Sequence, residues 1–247
     1  MTDRAVSEVL SFVLVFTLII ASITLISVSG LGSLQDARNA EQVNNAERAF
    51  DILSDNIADM YQRGAPSRAT EISLGEAQLR TADNVTMTVE VQEGGSYSRV
   101  GQWQIRPIEF EGEEDRKIVY EAGGVYRTNR DGGLRIRDPP LLVNDNHALI
   151  TIVGINRPQA QSLGGSTVLV RANHRDTDIA YNDTDSNAEK IRINVTGPRS
   201  DLWERYLEEE KGFTCTGGDD WCVYDGGGSD INRVYVVYHD IRVTIDQ

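Results

Sequence analysis

The stretch VLSFVLVFTLIIASITLISVSGLGSL, residues 9–34, decides how the chain is built. With Gln35 it gives 27 consecutive residues without a charge, dominated by Leu, Ile, Val and Phe with only small polar residues between them. A helix needs about 20 mostly apolar residues to cross a bilayer core, so this segment is long enough. A secretory signal peptide has a shorter apolar core, of about 7–15 residues, followed by a small-residue cleavage site. Ala21-Ser22-Ile23-Thr24 and Ser27-Val28-Ser29-Gly30 offer only weak sites of that kind. The length favours a retained transmembrane helix over residues 6–31, behind a short leader, residues 1–5. That leader, MTDRA, holds one Arg and one Asp, a weak signal for orientation. Nothing else in the chain is apolar enough to surround such a helix as a buried core element.

Downstream runs DARNAEQVNNAERAFDILSDNIADMYQRGAP, residues 36–66, with no proline before Pro66. Val43, Ala46, Phe50, Leu53, Ile57 and Met60 recur in alternating steps of three and four. That spacing puts one apolar stripe on one helical face, with Asp, Glu, Arg and Asn on the other. The stripe can pack against the domain that follows or mediate self-association. Gly64 and Pro66 supply a stop. The amphipathic extension is therefore placed at 32–64, with Gly30 and Gly32 as points where the join could bend.

From residue 65 to 247 the period changes to two. Segments starting at Asn84, Gly101, Arg116, His147, Ser166, Lys190 and Arg233 alternate β-branched or aromatic residues with polar ones, and Gly, Asn or Asp clusters separate them. Ala122-Gly123-Gly124-Val125 and Asp131-Gly132-Gly133-Leu134 read as hairpin turns. A short helix is expected at 201–211, capped by Ser200 and closed by Gly212. The fold class is α+β: a long N-terminal transmembrane and amphipathic helix, then a mainly antiparallel β head, either a sandwich or a curled sheet.

The 247 residues carry 38 Asp and Glu against 24 Lys and Arg, a net charge of −14 and a pI near 4.6. Such a surface repels phosphate backbones, so nucleic acid is not an expected partner. Only Lys117, Lys190 and Lys211 are lysine; every other base is Arg. Excess carboxylate with scarce Lys resembles the composition of salt-adapted archaeal proteins, in which acidity concerns solubility rather than a ligand.

The order of the elements, with the motif Arg4-Ala5-Val6-Ser7-Glu8-Val9-Leu10 ahead of the apolar run, resembles the type IV pilin-like proteins of archaea, haloarchaea in particular. The resemblance covers about the first 60 residues and none of the head. It implies cleavage by a membrane-embedded prepilin peptidase between Ala5 and Val6, the helix staying on the mature chain. It also implies a cytoplasmic N-terminus, an extracellular head, the lipid bilayer as a partner, and association with other pilin-like subunits. Archaeal members often carry Pro where this chain has Glu8, and bacterial pilins place their Glu fifth in the mature chain rather than third. Glu8 at the edge of a membrane helix can reach the headgroups beside the helix N-terminus, or meet a neighbouring subunit's amine.

Cys215 and Cys222 are the two cysteines, in FTCTGGDDWCVYDGGG. In an external domain they would form a disulfide pinning a Gly-rich loop; inside a cell they would be reduced thiols. Trp203, Trp221 and Tyr224 could seat that loop or belong to the core. His147, His174 and His239 are scattered without ligand spacing, so no zinc site is read. Asn84, Asn182 and Asn194 begin N-glycosylation sequons, Asn182 lying in the polar stretch 175–190. Two acidic stretches, Asp176, Asp178, Asp183 and Asp185, then Asp219, Asp220, Asp225 and Asp230, could hold calcium but lack EF-hand order, and solvated loops account for them equally. No nucleophile elbow, HExxH, P-loop or dinucleotide fingerprint occurs. The expectation is a noncatalytic protein without a cofactor.

Overall fold

The computed structural model describes residues 2–144, 147–156, 162–165, 167–183, 188–216, 220–228 and 230–246, with side chains from Val9 onward except those of Glu114 and Asp183. Helix α1 (Thr2–Arg63) spans 62 residues, and the chain falls into two compact units, Met1–Gln42 and Val43–Gln247.

In the first unit the helix passes through Gly30 and Gly32 without interruption. Phe12 and Leu25 are each 71% exposed, and the apolar run around them is similarly bare. The hydroxyls of Thr17, Ser22, Thr24 and Ser33 each donate to the carbonyl four residues earlier, at 2.7–3.0 Å. These polar atoms are thereby satisfied within the helix, as a hydrocarbon environment requires.

In the second unit all six stripe residues, Val43, Ala46, Phe50, Leu53, Ile57 and Met60, are buried. The packing alternative is the one realised. Gly64, at φ +72°, ends the helix, and the Ala65 amide donates to the Asp59 carbonyl.

The β domain begins with β1 (Ser67–Ser73), β2 (Gln78–Thr81), β3 (Val85–Glu93), β4 (Ser96–Ile105) and β5 (Ile108–Glu111). It continues with β6 (Lys117–Glu121), β7 (Gly124–Asn129), β8 (Gly132–Arg137), β9 (Leu141–Asn144), β10 (His147–Asn156) and β11 (Ser162–Gly164). Strands β12 (Thr167–Asp183) and β13 (Lys190–Thr196) precede helix α2 (Ser200–Lys211), and β14 (Thr214–Cys215), β15 (Cys222–Tyr224) and β16 (Arg233–Asp246) complete it. The expected strands are present, with two local differences. Pro107 cannot donate to a ladder, and the segment from Gly101 breaks there into β4 and β5. The stretch from Arg175 is not all loop, because β12 runs on to Asp183.

The described strands form three sheets, ordered β1-β12-β16-β10-β9, β11-β2-β5-β6-β7-β8 and β14-β15-β13-β3-β4, one of them curled into a half-barrel. The named pairs are antiparallel except β10 with β16. The β6–β7 turn places Ala122 at φ +49° and Gly123 at φ +90°, the left-handed pair that a two-residue hairpin requires. Helix α2 starts one residue early: Arg199 is the N-cap and Ser200 lies inside, while Gly212 closes the helix at φ +72° as expected.

Two cores share one wall. Along β10, Ala148, Ile150 and Ile152 enter a core with β3, β13 and α2, while Val153 and Ile155 enter the other, with α1 and β1. Strand β16 does the same, with Val234 and Val236 in the first core and Ile241, Val243 and Ile245 in the second. Since alternate residues of a strand face opposite sides, this sheet is covered on one face at one end and on the other face at the other end. At the crossover Gly154 makes room for Tyr238, whose hydroxyl lies 2.2 Å from where a Cβ would stand.

Phe50 is fully buried, while Ile52, two residues on and on the opposite face of the helix, is 56% exposed. Phe50→Ala should cost about 3–5 kcal/mol and Ile52→Ala less than about 0.5 kcal/mol, read as the shift in denaturation midpoint of the β domain in the detergent-solubilised full chain.

Candidate functional site

Helix α1 contains the one stretch among the described residues that is long and apolar enough to cross a membrane, with a mean hydropathy of 2.8 over its most apolar window and none of that window buried. Such a helix near an N-terminus serves as a membrane anchor or a signal. Arg4, Ala5, Val6 and Glu8 stand in its first turns, and their side chains are outside the described set.

Cys215 and Cys222 are disulfide-bonded, as the external reading expected. They face each other across the β14–β15 pair, and the bond points to an oxidising compartment. The Cys215 amide donates to Glu208 of α2 at 3.1 Å. At the other end of the loop the Asn194 Nδ2 donates to the Asp220 carbonyl at 2.6 Å, and Asp220 sits at φ +54°. Trp221 seats the loop: the Arg192 guanidinium lies 4.3 Å from its ring and 3.9 Å from that of Tyr97, and its Nε donates to Glu90 at 2.8 Å. Trp203 and Tyr224 belong to the core instead.

The sequons differ in access. Asn84 is exposed just before β3, hydrogen-bonded to Gln104 and Arg106, and Asn182 is exposed on β12. Asn194 lies in the middle of β13, and its Nδ2 is engaged by the Asp220 carbonyl.

Asp176 and Asp178 are exposed on β12, Asp183 ends that strand, and Asp185 and Asp219 lie outside the described residues. Asp176 accepts from the Thr177 amide and Asp225 from the Gly227 amide. Among the described residues no group of three or more His, Cys, Asp or Glu side chains is arranged to hold a metal ion.

Three arrangements were not legible beforehand. Glu121, fully buried at the β6–β7 turn, accepts from Arg199 Nε at 2.6 Å and from Trp203 Nε1 at 2.7 Å, which anchors the start of α2 to the second sheet. The Tyr97–Arg192–Trp221 stack joins β4 and β13 to the loop residue just before β15. His174 and His239, far apart in sequence, meet through Thr177: its Oγ1 lies 2.9 Å from His174 Nε2 and 3.0 Å from His239 Nδ1. Burial, reinforced by His174, holds the His239 imidazole down at about 4. The β12–β16 pairing creates this contact between residues 65 positions apart, so no local motif announces it.

Open grooves of about 580 and 500 Å³ flank the β7–β8 hairpin. The second contains four cations, each already matched: Arg80 and Lys117 by Glu109, Arg130 by Asp115, and Arg199 by Glu121.

Two outcomes follow. Replacing both cysteines by Ser frees a short loop and should lower stability by about 2–3 kcal/mol, with faster amide exchange around Trp221. His239 holds fewer protons folded than unfolded between about pH 4 and 6.5. The unfolded state therefore gains protons first as pH falls. Stability should be unaffected above pH 6.5 and drop by roughly 1–3 kcal/mol on descending toward pH 4; comparing denaturation of the metal-free chain with that of His239→Gln, which lacks this component, isolates it.

No curated protein and no solved structure matches the chain. A protein-family model does match, over residues 4–244. With nearly the whole length covered, the chain belongs to a family of unknown function (DUF7289).

Proposed function

We propose that this is a noncatalytic, single-pass membrane protein of the cell surface, of the type IV pilin-like class, possessing a retained N-terminal anchor and an external β domain. The observation that carries the proposal is helix α1. Its first part is apolar and bare over residues 9–34, and its last part supplies a buried stripe to the β domain. Both halves of one helix thus have a distinct surface to satisfy, lipid for one and the head for the other. Cleaving the apolar part away as a signal would leave the stripe in place, so the retained anchor rests on the length of the apolar run and on the Arg4–Glu8 motif.

The disulfide supports an external head, and the internal bonding of the helix hydroxyls supports a lipid-facing segment. On this reading the N-terminus is cytoplasmic, prepilin peptidase acts between Ala5 and Val6, and other pilin-like subunits are the protein partners. The acidic surface and the scarcity of Lys fit a salt-adapted archaeal envelope. Asn84 and Asn182 are the accessible positions for glycosylation.

Intact mass and N-terminal sequencing of the native membrane-extracted protein test the proposal. A first residue of Val6, with the chain recovered among sheared surface filaments, is the expected result. A first residue near Ser29 would overturn the anchor and the pilin-like reading together. An intact N-terminus, absent from the filament fraction, would overturn the pilin-like reading and leave a tethered surface domain.

A further inference from the structure

The pairing of β12 with β16 has an irregularity beside the two histidines. His174 pairs with Ile241 and Asp176 with Asp240, so Arg175 is the extra residue of a β-bulge. In a regular strand, residues 174 and 177 are an odd number apart and face opposite sides. One inserted residue restores them to the same side, which is how a bulge redirects a side chain. Thr177 pairs directly with His239. The bulge therefore collects His174, Thr177 and His239 on one face, beside Tyr61 of α1, whose ring centroid lies 5.5 Å from that of His239.

Within this group two imidazole nitrogens, His174 Nε2 and His239 Nδ1, converge on one oxygen at 2.9 and 3.0 Å. The ring centroids are 5.8 Å apart with an interplanar angle of 54°. Two imidazoles sharing one metal ion at about 2.1 Å from each nitrogen have centroids roughly 5–5.5 Å apart. A movement of a few tenths of an ångström, with Thr177 turning its hydroxyl aside, converts one arrangement into the other. Thr177 is exposed and His174 half-buried, so the point of convergence is open to solvent.

We propose that His174 and His239 form a two-imidazole site for a divalent transition-metal ion, with water completing the coordination. Imidazole nitrogen selects Cu²⁺, Ni²⁺ and Zn²⁺ over Mg²⁺ and Ca²⁺, and Cu²⁺ binds most tightly in this series. The net charge of −14 draws cations toward the surface in general, and the two imidazoles fix where such an ion stops. Neutral imidazole is the liganding form. The bulge then has a use beyond packing, since without it His174 would face away from His239. The site does not depend on whether the chain is processed or assembles.

The test is titration of the untagged full chain in detergent micelles, stripped of metal by chelator, with Cu²⁺ followed by electron paramagnetic resonance. The expected result is saturable binding of one ion, with hyperfine coupling from two imidazole nitrogens. His174→Ala and His239→Gln should each weaken binding by at least roughly tenfold, since even outer-shell partners of a ligand cost that much. Thr177→Val should retain binding, because its hydroxyl gives way to the metal. His147→Ala, altering the remaining histidine at the start of β10, should leave binding unchanged. Because His174 is half-buried, its variant stays informative even where the His239 variant fails to fold. Absence of saturable Cu²⁺ binding, binding indifferent to His174→Ala, or binding abolished by His147→Ala would each overturn the proposal.

Discussion

The apolar surface of α1 between Val9 and Leu34 is the constraint to which the rest answers. Sixteen large aliphatic and aromatic side chains in this span stand about half to three-quarters exposed. At about 1.5 kcal/mol or more for each such side chain left in water, the deficit is on the order of 20 kcal/mol. The helix hydroxyls are bonded to their own backbone, so hydrocarbon would meet no unsatisfied side-chain donor at Thr17, Ser22, Thr24 or Ser33. A lipid bilayer is a surrounding that would resolve the deficit directly.

The other part of α1 answers the opposite demand. From Val43 to Met60 its stripe is fully taken up by the second core, with Ile72, Phe110, Ile118 and Val243 among the residues around it. The β domain is therefore not complete without the helix that enters it. The first core, with α2 and the disulfide-closed loop, is joined to the second by the crossover of β10 and β16. Glu121 adds a buried polar link: its bonds to Arg199 and Trp203 tie the β6–β7 turn to α2, and removing one partner of such a pair strands a charge out of water.

Periodicity made much of this readable in advance. The step of three and four from Val43 to Met60 identified the buried face residue by residue, because a helix exposes its pattern within a few turns. Alternation likewise located β3, β10, β13 and β16. Short strands such as β2, β9 and β11 escaped, since three or four residues are too few to show a period. The stretch from Arg175 read as loop because polar residues dominate it, although β12 runs through it to Asp183 and sets Ala180 and Tyr181 against the first core. Arg199 displaced Ser200 as the N-cap because its side chain is committed to Glu121, a tertiary contact that local capping preference does not contain. The sites were less legible than the elements. The cysteine pair was evident from composition, but the Arg192 stack and the His174–Thr177–His239 group depend on strand register and on a single inserted residue.

On the proposed reading, an anchor helix, a head built around the end of that helix and a disulfide-pinned loop make a protein held at a membrane with its β domain in an oxidising space. Alkaline extraction of native membranes combined with protease treatment of intact cells tests that description most directly. The account predicts that the chain stays with the membrane at high pH and that external protease reaches the β domain while the cells remain sealed. Release of the chain into the alkaline supernatant, or a β domain cleaved only after lysis, would contradict it.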